Sequence, residues 1–87
     1  MGVRAEVTPN PNALKFTTDK LIFEGDASIS VMPGDVSEHE IMNDLMGISG
    51  VDNVFGYQHF ITVTKLFDVE WDDLNPQVFE VFEKHGY

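Results

Sequence analysis

Val3, Ala5 and Val7 alternate with Arg4, Glu6 and Thr8, the period of a strand with one buried face and one wet face. Leu14 and Phe16 then alternate with Lys15 and Thr17, predicting a second strand. After an Asp19-Lys20 turn, Leu21-Ile22-Phe23 reads as the returning arm of a hairpin. Glu24-Gly25-Asp26 breaks the pattern, and Ser28 to Met32 resumes it until Pro33-Gly34. Residues 21–23 and 28–32 are either one bulged strand or two short ones. Later, Gly50 to Tyr57 and Phe60 to Thr64 are two β-rich runs around a short Gln58-His59 connection, which predicts a β-hairpin.

Helical periodicity occurs twice. Ile41, Met42, Leu45 and Met46 form an apolar stripe over a helix predicted from Glu38 to Met46. Ser37 and Glu40 have the spacing of a capping box, and Val36 and Ile41 that of a hydrophobic staple. Gly47 supplies a residue able to take positive φ at the end. The second helix is expected to begin at Asn75 as N-cap with Pro76 in the first helical position. Its Val78, Phe79 and Phe82 face the sheet, Val81 lies at the margin, Glu80 and Lys84 form an i,i+4 pair, and Gly86 terminates it. The element order β-β-(β)-α-β-β-α lacks the regular helical crossovers of a parallel sheet. It predicts an α+β, two-layer sandwich: an antiparallel sheet with two helices on one face. Residues 1–87 read as a single domain, because a chain of this length supports one core.

Charge narrows the function. Fifteen acidic and five basic residues give a net charge of −10, and no Lys or Arg occurs from Leu21 to Thr64. Binding nucleic acid requires clustered cations, so neither nucleic acid nor an anionic membrane is an expected partner. No apolar run reaches the ~20 residues that span a bilayer, and no apolar leader follows Met1, so a cytoplasmic protein is expected. Cysteine is absent, which removes thiol nucleophiles, disulfides, cysteine-ligated zinc and the usual thiolate-held iron–sulfur cluster.

Two prolines alternate with two asparagines in Thr8-Pro9-Asn10-Pro11-Asn12. Each proline fixes its own φ and drives the residue before it into extended conformations. The asparagines tolerate tight turns, so a semi-rigid corner delivers Leu14 and Phe16 into the second strand. Taken with Ala13-Leu14-Lys15-Phe16, Phe60-Ile61-Thr62-Val63-Thr64-Lys65 and Val69-Glu70-Trp71, the block resembles the N-terminal domain of the Nfu/NifU-like scaffold proteins of iron–sulfur cluster biogenesis. The resemblance runs from roughly Arg4 to Phe82 and is less recognisable from Thr18 to Ser49. It implies a small α+β domain that, in larger members, precedes a separate domain whose CxxC motif carries the cluster. The sequence in hand contains no cysteine and stops at Tyr87. What the resemblance implies here is therefore an accessory, interaction role alongside iron–sulfur cluster assembly or recipient proteins, as a stand-alone domain. His59 stands where the family pattern leads one to expect an acidic residue.

The candidate interaction surface is Thr8, Pro9, Asn10, Pro11, Asn12 and Lys15, with Trp71. The alternative for the arm is a purely structural loop, and for Trp71 a core or edge-packing role. Glu70, Asp72 and Asp73 form the densest carboxylate cluster and a possible weak site for a hard cation, but they lack the spacing of an EF-hand loop. They also suit the acidic turn before a helix. His39, His59 and His85 are the only imidazoles, and their spacing predicts no metal site. An iron carrier using exposed carboxylates and histidines is the second functional reading. No nucleophile elbow or phosphate-binding glycine loop is present, the fifteen acids select no catalytic pair, and the expectation is a non-enzymatic domain without a resident cofactor.

Overall fold

The computed structural model describes residues 2–87. Three strands, β1 (Arg4–Val7), β2 (Ala13–Thr17) and β3 (Ile29–Val31), precede helix α1 (Glu40–Met46); β4 (Val51–Tyr57) and β5 (Phe60–Lys65) follow, then helix α2 (Trp71–Lys84). The strands form one five-stranded sheet in the order β1-β2-β5-β4-β3, and every pairing is antiparallel. Both helices pack on one face, giving the expected two-layer α+β arrangement. Among the described residues no helix is long and apolar enough to cross a membrane.

The strand register explains the core. Phe16 is opposite Ile61, Leu14 opposite Val63, and Val54 opposite both Val63 and Val31, so these side chains share the helix-side face. Phe16, Ile61, Val63, Val54 and Val31 are buried there with Met42 and Leu45 of α1 and Leu74, Val78 and Phe82 of α2. Phe16 holds the two layers together, its ring lying 5.5 Å from Phe79, 6.0 Å from Phe82 and 6.4 Å from Trp71.

β1 departs from the expected half-buried strand, since all four of its residues are exposed. Ala5 and Val7 do face the helical side, opposite Phe16 and Leu14. However, strands lie about 4.8 Å apart and a helix is about 10 Å wide, so two helices cover four strands and the fifth overhangs. Leu21–Phe23 is also not the strand expected from its pattern, because both sides of β2 are already occupied, by β1 and β5. The segment instead crosses the tip of the β4–β5 hairpin, where the Ile22 and Phe23 amides donate to the Gln58 carbonyl at 2.8 and 3.1 Å. Gln58 holds that carbonyl in place at φ 47. Phe23 thereby lands on Gly56, where an added Cβ would stand 2.6 Å from its Cζ.

Both helix starts differ from expectation. α1 begins at Glu40 with His39 as N-cap, and no side chain caps it. Ser37 accepts a hydrogen bond from the His39 amide, while the Asn43 side chain accepts from the Ser37 amide and donates to its carbonyl. That clamp takes up Ser37, so the Ser37–Glu40 box does not form, and Val36, 87% exposed, does not staple. Gly47 is right-handed at φ −74; positive φ falls on Gly50, at 101°. α2 begins at Trp71 after Glu70, because starting at Asn75 would leave Leu74, which is 1% exposed, outside the helix that buries it. Asp72 and Asp73 complement the first-turn dipole. Pro76 thus lies inside the helix, and Asn75 Oδ1 is buried without a hydrogen-bond partner among the described residues.

Lys84 reaches across to Asp44 of α1 at 3.3 Å rather than pairing with Glu80, and His85 Nε2 meets the same oxygen at 2.7 Å. The Asp19–Lys20 turn after β2 gathers residues from both ends of the fold. Arg4 pairs with Asp19 at 3.3 Å, Gly2 lies against the Asp19 carboxylate, and Lys20 Nζ donates to the Gly86 carbonyl at 2.9 Å.

Gly56→Ala is expected to destabilise the fold by about 1–3 kcal/mol, the usual cost of overpacking. In a Phe23→Ala background the same change should cost almost nothing, a coupling that urea denaturation of the double-mutant cycle will show. The hydrogen bond from His85, opposed by partial desolvation and supported by Lys84, holds the Asp44 carboxyl below its usual range. A depressed carboxylate pKa stabilises the fold above the unfolded value of about 3.9 and loses that contribution as pH falls through the folded value. Asp44→Asn should therefore flatten the acid side of the stability profile below about pH 4, measured by urea midpoints across pH.

Candidate functional site

The proline–asparagine arm folds on its own side chains. The Thr8 hydroxyl lies 2.9 Å from the Asn10 carbonyl and 3.0 Å from that of Ala13, and accepts from the Asn10 amide at 3.2 Å. Asn10 Oδ1 accepts from the Asn12 amide at 2.9 Å, and the Ala13 amide closes the turn on the Asn10 carbonyl at 3.0 Å. With the prolines fixing φ, little conformational freedom is left in the segment.

Three further bonds anchor the corner to the body. The Lys65 amide donates to the Asn12 carbonyl at 2.8 Å, Lys65 Nζ to Asn12 Oδ1 at 3.2 Å, and Trp71 Nε1 to the Pro11 carbonyl at 3.2 Å. The corner is therefore wedged between the end of β5 and the start of α2. Pro9, Asn10 and Pro11 stay exposed at its apex. Apolar side chains flank it in the chain: Val7, 89% exposed, precedes the arm, and Leu66 and Phe67, 43% and 84% exposed, follow the Lys65 anchor. A rigid corner beside exposed apolar groups is suited to protein contact.

Of the residues expected from the sequence, Thr8, Pro9, Asn10, Pro11, Asn12 and Trp71 come together and Lys15 does not. Lys15 sits on the opposite, helix-free face of β2, with Nζ 4.4 Å from the centroid of Phe60. Trp71 takes the packing role, against Phe16, that was the alternative to partner contact, and it also bonds the arm. Lys65, Val7 and Phe67 were not legible as members of this surface. The available signal was Leu66-Phe67, an apolar pair outside the strand and helix periodicities.

The carboxylates are arranged differently. Glu70 is the α2 N-cap position and Asp72 and Asp73 occupy its first turn, all three exposed, and successive helical residues point about 100° apart. His39 packs edge-on against Phe23 at 4.9 Å, His85 bonds Asp44, and His59 lies at the hairpin tip. Among the described residues, no three His, Asp or Glu side chains converge as a metal ion would need.

The family model described as scaffold protein Nfu/NifU N-terminal matches residues 3–87. A NifU-like protein of Schizosaccharomyces pombe is 33% identical over 94 residues, covering 95% of this chain and 33% of that protein. The human mitochondrial protein named NFU1 iron-sulfur cluster scaffold homolog is 34% identical over 80 residues, covering 91% of this chain and 32% of its own. The chain thus spans about a third of the length of these curated relatives. The crystal structure of protein SAV1430 from Staphylococcus aureus superposes with a TM-score of 0.83 at 32% identity, covering 94% of this chain and 99% of that one.

Trp71→Phe keeps a ring packed against Phe16 but removes the bond to Pro11, and should cost about 1 kcal/mol. Thr8→Val removes the hydroxyl on which the turn closes and should cost about 1–2 kcal/mol. Both should accelerate amide exchange at Asn12 and Ala13, measured by NMR, while leaving the Val54 and Val63 amides protected.

Proposed function

The chain belongs to the Nfu/NifU N-terminal scaffold family, and from that premise we propose that it is a non-enzymatic interaction domain serving iron–sulfur cluster assembly. Its contact surface in this reading is the corner Thr8 to Asn12 with Lys65, Phe67 and Trp71. The observation that carries the proposal is the pinned corner itself. Its ordering entropy is lost on folding, so a partner does not have to freeze it on binding. Its apex and flanks leave proline rings and a phenylalanine in water. The human relative is named a cluster scaffold, while this sequence has no cysteine. In the proposed role the domain contributes contact, and thiolates of an assembly or recipient protein hold the cluster.

The test is a chemical-shift titration of the ¹⁵N-labelled chain with cysteine desulfurase, cluster scaffold and cluster-recipient proteins. Shifts should concentrate on Asn10, Asn12, Lys65 and Phe67 and on the Trp71 indole. Phe67→Asp should weaken binding about tenfold, a loss of about 1.4 kcal/mol. Absence of perturbation with all of these proteins, under conditions where they bind one another, would reject the role. Shifts confined to another face would reject the surface.

A further inference from the structure

The two sheet edges are built differently. β1 carries Arg4 and Glu6, charges of the kind that blunt an exposed edge. β3, the opposite edge, is Ile29-Ser30-Val31 and carries none. An antiparallel edge strand presents the backbone N–H and C=O groups of alternate residues outward. Apart from the ladder to β4, no hydrogen bond reaches Ile29, Ser30 or Val31 among the described residues.

The space beside this edge is open. A cleft of about 330 Å³ lies between β3 and the segment Asp35–His39. It adjoins a second of about 580 Å³ that shares Asp35 and Val36 and runs along α1 to Met46. Met32, 50% exposed, follows β3, and Val36, 87% exposed, lines both clefts. A hydrogen bond from the Met32 amide to Asp35 Oδ2 at 3.2 Å ties the start of the bounding loop to the strand.

Charge selects the occupant. Asp35 and Glu38 line the first cleft, and no Lys or Arg occurs anywhere from Leu21 to Thr64. A second copy of this chain, at −10, would bring an equally acidic edge and be repelled. A segment with cations at alternate positions would meet Asp35 and Glu38 while its apolar positions met Val36 and Met32.

We propose that the β3 edge is a second docking site, which takes an extended basic segment of a partner protein as a sixth strand. Backbone bonds to β3 supply the pairing, and the acidic loop supplies the selection. The site lies at the sheet edge opposite β1 and does not depend on the corner Thr8 to Asn12.

The probe is a twelve-residue peptide alternating lysine with threonine and valine, titrated into the ¹⁵N-labelled chain beside its glutamate-for-lysine counterpart. The lysine peptide should shift Ile29–Met32 and Asp35–His39, slow exchange of the outward amides of β3, and bind more weakly as salt rises. Glu38→Lys, an exposed change, should weaken it about tenfold, and Val36→Lys should do the same by removing the apolar contact. Equal binding of the glutamate peptide would overturn the proposal. So would shifts scattered over Asp72, Asp73 and Glu80 with no slowed amide, or no binding at millimolar peptide. Wild-type affinity in both variants would overturn it equally.

Discussion

The structure depends on how Phe16 is held. Completely buried in β2, it meets Trp71, Phe79 and Phe82 of one helix, so a single ring sets where α2 lies on the sheet. Aromatic rings contribute large buried areas in specific relative orientations, and three rings around a fourth define both position and rotation. With α2 placed there, Trp71 reaches the Pro11 carbonyl, and the corner becomes an extension of the core. The last turn of α2 arrives beside Asp44, which joins the two helices.

Coverage is the second constraint. Two helices cannot roof five strands, and the uncovered strand is β1, shielded by its charges rather than by packing. On the far edge β3 stays uncharged while the following loop carries the acids. Charge thus serves different ends: an Arg4 and Glu6 pair of opposite signs guards one edge, and in the proposed docking the acids beside the other discriminate between partners. Among the described residues no helix or strand covers the other face of the sheet, yet it is partly dressed by Lys15 over Phe60 and by the neighbouring Phe55 and Tyr57 rings.

The fold class, both hairpin strands β4 and β5, the stripes of both helices and the corner were legible because each rests on local periodicity or on proline geometry. What was illegible depended on competition between segments. Leu21–Phe23 has a strand's composition, but β2 had no free side to offer. Ser37 and Glu40 have the spacing of a capping box, but Asn43, six residues from Ser37, took the serine's backbone instead. Pro76 suggested a helix start, yet burial of Leu74 favoured an earlier one despite the lost amide. At the site, the corner's shape was readable and its anchor was not, since Lys65 lies 53 residues from Asn12. Lys15 was assigned to the wrong surface for a simpler reason: strand alternation sends it to the face opposite Leu14 and Phe16, away from α2.

The Asp19–Lys20 turn, which receives Arg4 and Gly2 on one side and the Gly86 carbonyl on the other, makes the domain topologically closed. Residues 2 and 86 meet one turn, at the end of β1 and β2 away from the proline corner, and such termini tolerate permutation and insertion. A short linker could join residues 2 and 86, and the chain could be reopened at an exposed loop such as Glu24–Asp26 without disturbing a strand. Joined and reopened in that way, the sheet and both helices would keep their register and packing while the points of entry and exit moved to another loop.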